Sequence, residues 1–285
     1  SSFKEKALIE PTLVPGMCVN CHSFNQAQTE RLSIHVRGSH GGTLLQEGGQ
    51  LEVLDTKTDS TLSACVYPYW HPSGKYSAYS YNKTRHGFHA VKEERIEVMD
   101  NSSDIVVYHP ATHELITTPM LQRKDAFETF PAFSPDGRTL YFCSAEAKQM
   151  PQEYKDVKYS LCSIDFNPEN GTFGENIDTL VSARQLGKSV SFPRPSYDGR
   201  YLMFTLSDYG NFSIWHKEAD LWMYDLKKQT FYPNDEVNSD DTESFHNWSS
   251  NSHWFVFSSR RDNGLYIYIY IAGVEADGKV TMPFM

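Results

Sequence analysis

The chain has 285 residues, is 14% aromatic and carries a formal net charge of −10. That length admits two ordinary domains or one large repeat domain. No Lys/Arg run supplies the concentrated basic face that a phosphate backbone or an anionic bilayer requires, so nucleic acid and charged membrane surfaces are excluded as expected partners.

Residues 1–30 read as an N-terminal segment opening on Ser1-Ser2, as a trimmed mature end or an expression scar would. Within it lies Cys18-Val19-Asn20-Cys21-His22. This C-x-x-C-H string is the attachment pattern of c-type haem: two thiols add to the porphyrin vinyls and the adjacent imidazole ligates the iron. A local disulfide or dithiol, half of a zinc site and a relic of an older haem site are the other readings. The run that follows, Asn25 to Glu30, is polar and offers a porphyrin no apolar wall. Cys65, Cys143 and Cys162 lie in apolar runs, where a free thiol behaves as a small buried hydrophobe.

Residues 31–285 read as repeats. Leu32-Ser-Ile-His-Val-Arg, Gly42-Thr-Leu-Leu-Gln and Gln50-Leu-Glu-Val-Leu-Asp predict three strands, and a first strand for the same unit falls on residues 17–22. Four further units start at Tyr67, Phe130, Phe192 and Phe245, about 60 residues apart. The first three read Tyr67-Pro-Tyr-Trp-His-Pro-Ser-Gly, Phe130-Pro-Ala-Phe-Ser-Pro-Asp-Gly and Phe192-Pro-Arg-Pro-Ser-Tyr-Asp-Gly; the fourth, Phe245-His-Asn-Trp-Ser-Ser-Asn-Ser, departs most. Each turn leads into an apolar run, so strand, tight turn and strand are predicted. A second hairpin follows in each unit, as at Leu221-Trp-Met-Tyr-Asp-Leu. Two hairpins per period make a four-stranded antiparallel blade. The expected fold is an all-β propeller with five visible blades. The last apolar run, Leu265 to Val274, is too short to span a bilayer, and its Tyr/Ile alternation predicts a strand.

The Pro-x-Phe-Ser-Pro-Asp-Gly-Arg-x-Leu-x-Phe string at 131–142 and the Phe257–Ile267 run resemble the WD-like repeats of TolB-type propellers. With the Cys-Val-Asn-Cys-His motif and His35-Val-Arg-Gly, the chain resembles an exported, Bacteroidetes-type TolB-like group. That resemblance implies a periplasmic or outer-membrane-associated protein, with a lipid anchor as one mode of attachment. It implies no established reaction. TolB-type propellers usually have six blades, so a sixth is an expectation for the parent protein.

The functional expectation is a non-catalytic scaffold that binds a protein or small molecule at its loop face or channel mouth. The alternative is an electron-transfer protein with haem c on Cys18, Cys21 and His22. Candidate second axial ligands are His35, His71, His246 and Met17. Because first strands line a propeller channel, His71 and His246 are also expected as polar channel lining. His86 and His89, with Glu93 and Glu94 beyond, and the acidic run Asp235–Glu243 read as solvated surface rather than metal sites. No Gly-x-Ser-x-Gly elbow or phosphate loop occurs.

Overall fold

Alternation of apolar side chains at period two, with rings and β-branches on both faces, makes sheets that bury both sides. A computed structural model of the chain describes residues 9, 16–26, 28–38, 41–54, 56, 61, 64–90 and 95–285. Among the described residues, nineteen strands form five antiparallel sheets in sequence order. Blade 1 comprises β1 (Cys18–Asn25), β2 (Gln28–Arg37), β3 (Gly42–Glu47) and β4 (Gln50–Leu54). Blade 2 comprises β5 (Val66–Trp70), β6 (Ser77–Phe88), β7 (Ile96–His109) and β8 (Glu114–Ile116). Blade 3 is β9 (Ala126–Phe133), β10 (Thr139–Glu146), β11 (Ser160–Asn167) and β12 (Thr172–Val181). Blade 4 is β13 (Ser189–Pro195), β14 (Tyr201–Ser207), β15 (Asp220–Asp225) and β16 (Thr230–Pro233). Blade 5 has three strands, β17 (Glu243–Trp248), β18 (Trp254–Ser259) and β19 (Tyr268–Gly273). The expected all-β propeller is therefore the fold. Within residues 1–30, β1 and the start of β2 belong to blade 1.

The core lies between blades. In blade 4, Leu202 and Phe204 pack toward blade 3 while Tyr201 and Met203, one residue out of phase, pack toward blade 5. The same alternation joins blades 1 and 2 through Leu45, Tyr79 and Val106, and blades 2 and 3 through Ile105, Phe133 and Phe142. Inner strands touch in series, β1 on β5, β5 on β9, β9 on β13 and β13 on β17, with no contact of similar size from β17 back to β1.

Candidate functional site

Each inner strand carries a β-bulge at one register position, and the bulged residue has a positive φ: Cys21 (33°), Tyr67 (50°), Phe130 (53°), Phe192 (52°) and Phe245 (48°). An L-residue resists that conformation, so each bulge stores strain. Packing offsets it. Ring centroids lie 4.6 Å apart for Tyr67–Phe130, 4.1 Å for Phe130–Phe192 and 4.7 Å for Phe192–Phe245. Tyr67 and Phe192 also meet at 6.5 Å, so rings fill the axis at this level. Cys21 holds the fifth place in the series.

Two residues beyond the bulge stand Ser23, Tyr69, Ala132, Arg194 and Asn247. They are the unrepeated position of an otherwise repetitive strand. Four of them line a cavity of about 150 Å³ at the channel mouth, on the side of the tight turns. His22, Phe24, Trp70, Phe133 and Tyr197 also line it, with Gln26, Ser134 and several prolines. All five blades thus contribute to one depression.

Neighbouring blades hold this register in place. The Trp70 indole N–H donates to the Ser23 carbonyl (3.1 Å), and that of Trp248 donates to the Arg194 carbonyl (2.9 Å). The Arg194 guanidinium lies 5.4 Å from the Tyr69 ring centroid and donates from Nη1 to the Pro193 carbonyl (2.9 Å). Burial depresses its pKa, with Tyr69 acting in the opposite direction.

Beyond the aromatic level the channel is hydroxyl-lined. Ser191, Ser213 and Ser244 form a chain of contacts at 3.2 and 2.9 Å. Ser80 and Asn82 reach Thr129, and Asn82 donates to Asp100 (3.1 Å). Asp100 also accepts from Tyr159 and Asn211. Burial raises its pKa to about 6 despite these donors.

The structure separates the histidines proposed from sequence. His22 is exposed and lines the mouth cavity. His35 is buried within blade 1, its Nδ1 at 3.4 Å from Thr43 Oγ1, and burial assisted by Arg37 lowers its pKa to about 4. His71 does not line the channel. It sits between blades 2 and 3, with Nδ1 at 2.7 Å from Ser73 Oγ and Nε2 at 3.0 Å from the Gly137 carbonyl. His246 is likewise turned out of the channel, 3.0 Å from the Met203 carbonyl. Met17 packs on Leu32, Ile34 and Val36 of blade 1. Cys18 and Cys21 are not bonded to each other. Cys18 is exposed, whereas burial raises the pKa of Cys21 beside Tyr67, Arg37 and Arg194.

The other motifs are surface or structural. His86 is exposed in the β6–β7 hairpin, and His89 lies 3.6 Å from Glu97; Glu93 and Glu94 fall outside the described residues. In the acidic run, Asp241 pairs with Arg260 and Glu243 with Arg261, both at 2.9 Å. No group of three metal-ligating side chains occurs among the described residues. Sequence reasoning passed over Arg194 and Asn247. Their signal was present: the x of each Pro-x string is where otherwise similar strands differ.

No protein-family model matches the chain, and no curated protein resembles it in sequence. Its backbone matches solved structures. TolB from Acinetobacter baumannii superposes with a TM-score of 0.53 at 14% identity over 93% of this chain and 56% of that one. A putative TolB from Agrobacterium tumefaciens gives 0.57 at 16% identity over 92% and 79%. The fold is the TolB-like propeller. An oligogalacturonate lyase in complex with manganese gives 0.59 at 10% identity over 95% of this chain and 68% of the lyase. The chain thus spans between about half and four fifths of these proteins. At such identities the TolB-like fold is what is shared, and functions differ among the proteins that share it.

Proposed function

We propose that this TolB-like propeller is a non-catalytic exported scaffold whose ligand, a protein segment or small molecule, seats in the mouth cavity. One observation carries the reading: the unrepeated side chains of four inner strands converge on one depression at the channel mouth. The Ser134 hydroxyl at its rim donates to Asp136 and accepts from the Thr139 N–H, so it serves the turn rather than a base. Export, a periplasmic or outer-membrane setting and a lipid anchor follow from the family resemblance. They accord with the absence, among the described residues, of a helix long and apolar enough to cross a membrane.

A thermal-shift screen of sugars, organic acids and short peptides tests the reading, with Ser23→Trp filling the cavity. A ligand at 100 times its Kd stabilises by about 2.7 kcal/mol. The expected result is a shift of several degrees that Ser23→Trp removes. Hits that are indifferent to Ser23→Trp would move the site elsewhere.

Covalent haem on Cys18, Cys21 and His22 is the second reading. The exposure of Cys18 and His22 on one strand favours it. The turn of Cys21 into the channel wall opposes it. Neither His35 nor His71 is free to serve as the opposite axial ligand. A Soret band after expression with haem-maturation machinery would establish it.

A further inference from the structure

We infer that the mouth cavity reads a carboxylate group, with the Arg194 guanidinium as its anchor and the Asn247 amide as a second donor; the inference rests on the cavity being the ligand site. The chain has 36 Asp and Glu residues, yet none of those among the described residues lines this cavity. Arg194 also differs from the other arginines placed against the blades. Arg123 pairs with Glu128, Arg260 with Asp241 and Arg261 with Glu243, each at 2.9 Å. Arg194 has no carboxylate within ion-pair distance among the described residues; its one hydrogen bond is to a backbone carbonyl. Arg194 is partly withdrawn from water without a counter-charge, which is costly, and an arriving anion offsets that cost.

The planar guanidinium fork matches a carboxylate in two parallel bonds. Asn247 accepts from the Trp248 N–H through Oδ1, which leaves its amide N–H groups as donors at the rim. The remaining wall sets the rings of Tyr69, Trp70 and Phe133 and several prolines beside the polar side chains of Ser23, Gln26 and Ser134, so the body carrying the acid is planar with room for polar substituents. One guanidinium, with no second Lys or Arg among the described lining residues, suits a single negative charge better than a phosphate dianion. Two sources present this chemistry: a small organic acid, and the C-terminal carboxylate of a peptide.

Calorimetry on the full chain decides, using benzoate against benzamide, and acetyl-Ala-Ala-Phe against its C-terminal amide. At least one acid should bind tenfold or more tighter than its amide, equivalent to about 1.4 kcal/mol. Tighter binding of benzoate assigns a small acid, and tighter binding of the tripeptide assigns a chain terminus. Arg194→Gln should erase the acid–amide difference, and Arg194→Lys should keep part of it. A melting curve for each variant establishes that it is folded. Equal binding of acid and amide, abolished by Ser23→Trp, would overturn the carboxylate reading and leave the ligand site standing. Tighter binding of inorganic phosphate than of either acid would overturn the assigned chemistry. Absence of binding by all probes, with screen hits indifferent to Ser23→Trp, would overturn both.

Discussion

At the scale of single residues, the cysteines divide by environment rather than by spacing. Cys65, Cys143 and Cys162 are buried; burial pushes the Cys65 thiol up to about 12 and that of Cys162 up to about 11. Cys21 is partly buried and its thiol is raised for the same reason. A thiolate is the reacting species, so these four should be slow. With a thiol reagent in native buffer, Cys18 should react first, Cys21 distinctly later, and the other three only on unfolding. Equal rates for all five would contradict this order. Gly137 is the other instructive residue. It has φ +71°, and a Cβ there would stand 2.0 Å from His71 Nε2 on the neighbouring blade. Gly187 has nearly the same φ, +69°, with open space around it. Gly137→Val should therefore cost about 2–4 kcal/mol by denaturant titration, from strained φ and overpacking together. Gly187→Ala should cost about 1 kcal/mol, from φ alone.

At the scale of elements, the β6–β7 hairpin of blade 2 reaches across to blade 4. Glu97 accepts from Tyr209 (3.0 Å) and faces His216 at 3.4 Å, while Glu218 approaches the other His216 nitrogen at 3.6 Å. Burial alone would lower the His216 pKa, but the two carboxylates outweigh it and raise the value to about 9. The pKa is higher in the folded chain than in the unfolded one. The stabilisation is therefore complete below about pH 6.5 and is lost as pH rises through about 9. The urea midpoint should fall across that window by the equivalent of up to about 3 kcal/mol. His216→Gln should flatten the fall. An unchanged slope in that variant would mean the hairpin is held by Asp100 and its partners instead. The repeated turns follow the same logic of contact between blades. In blade 5 Ser252 takes the glycine position at φ 60°, and its Oγ accepts from the Asp198 N–H of the blade 4 turn (3.0 Å). That bond explains a serine at a position where blades 2, 3 and 4 use glycine.

At the scale of the molecule, the alternation that buries both faces of blades 2 to 4 continues in blade 5 but meets no further blade among the described residues, and Trp254 touches Phe284 of the C-terminal segment at 6.4 Å between ring centroids. Trp254 and Val256 stand in the phase of Tyr201 and Met203, and they are 45% and 39% exposed where those two are buried. Ile269, opposite Ser258, is 65% exposed. Identical chemistry should therefore have opposite consequences on the two sheets. Ile269→Lys should change stability by less than about 0.5 kcal/mol, whereas Met203→Lys, which buries an unpaired ammonium, should cost more than about 3 kcal/mol. A comparable loss for Ile269→Lys would show that this face is covered in solution.

The sequence by itself determined the blades. Period-two apolar patterning and the Ser-Gly and Asp-Gly turns are local signals, and Gly74, Gly137 and Gly199 all share φ +71° in equivalent turns. The place of the thiol motif on an inner strand was legible for the same reason, since Cys21 falls in register with Tyr67, Phe130, Phe192 and Phe245. Only the tertiary structure decided which side chains meet. Side-chain direction at a bulge depends on a positive φ that no residue type announces, and that rotation at Phe245 takes the adjacent His246 out of the channel. His71 lies past the end of β5 in the tight turn, held against blade 3 by the Gly137 carbonyl. Arg194 is one arginine among many in the sequence. It becomes a candidate anchor because four other blades bring hydroxyl, amide and aromatic groups, and among the described residues no carboxylate, around it.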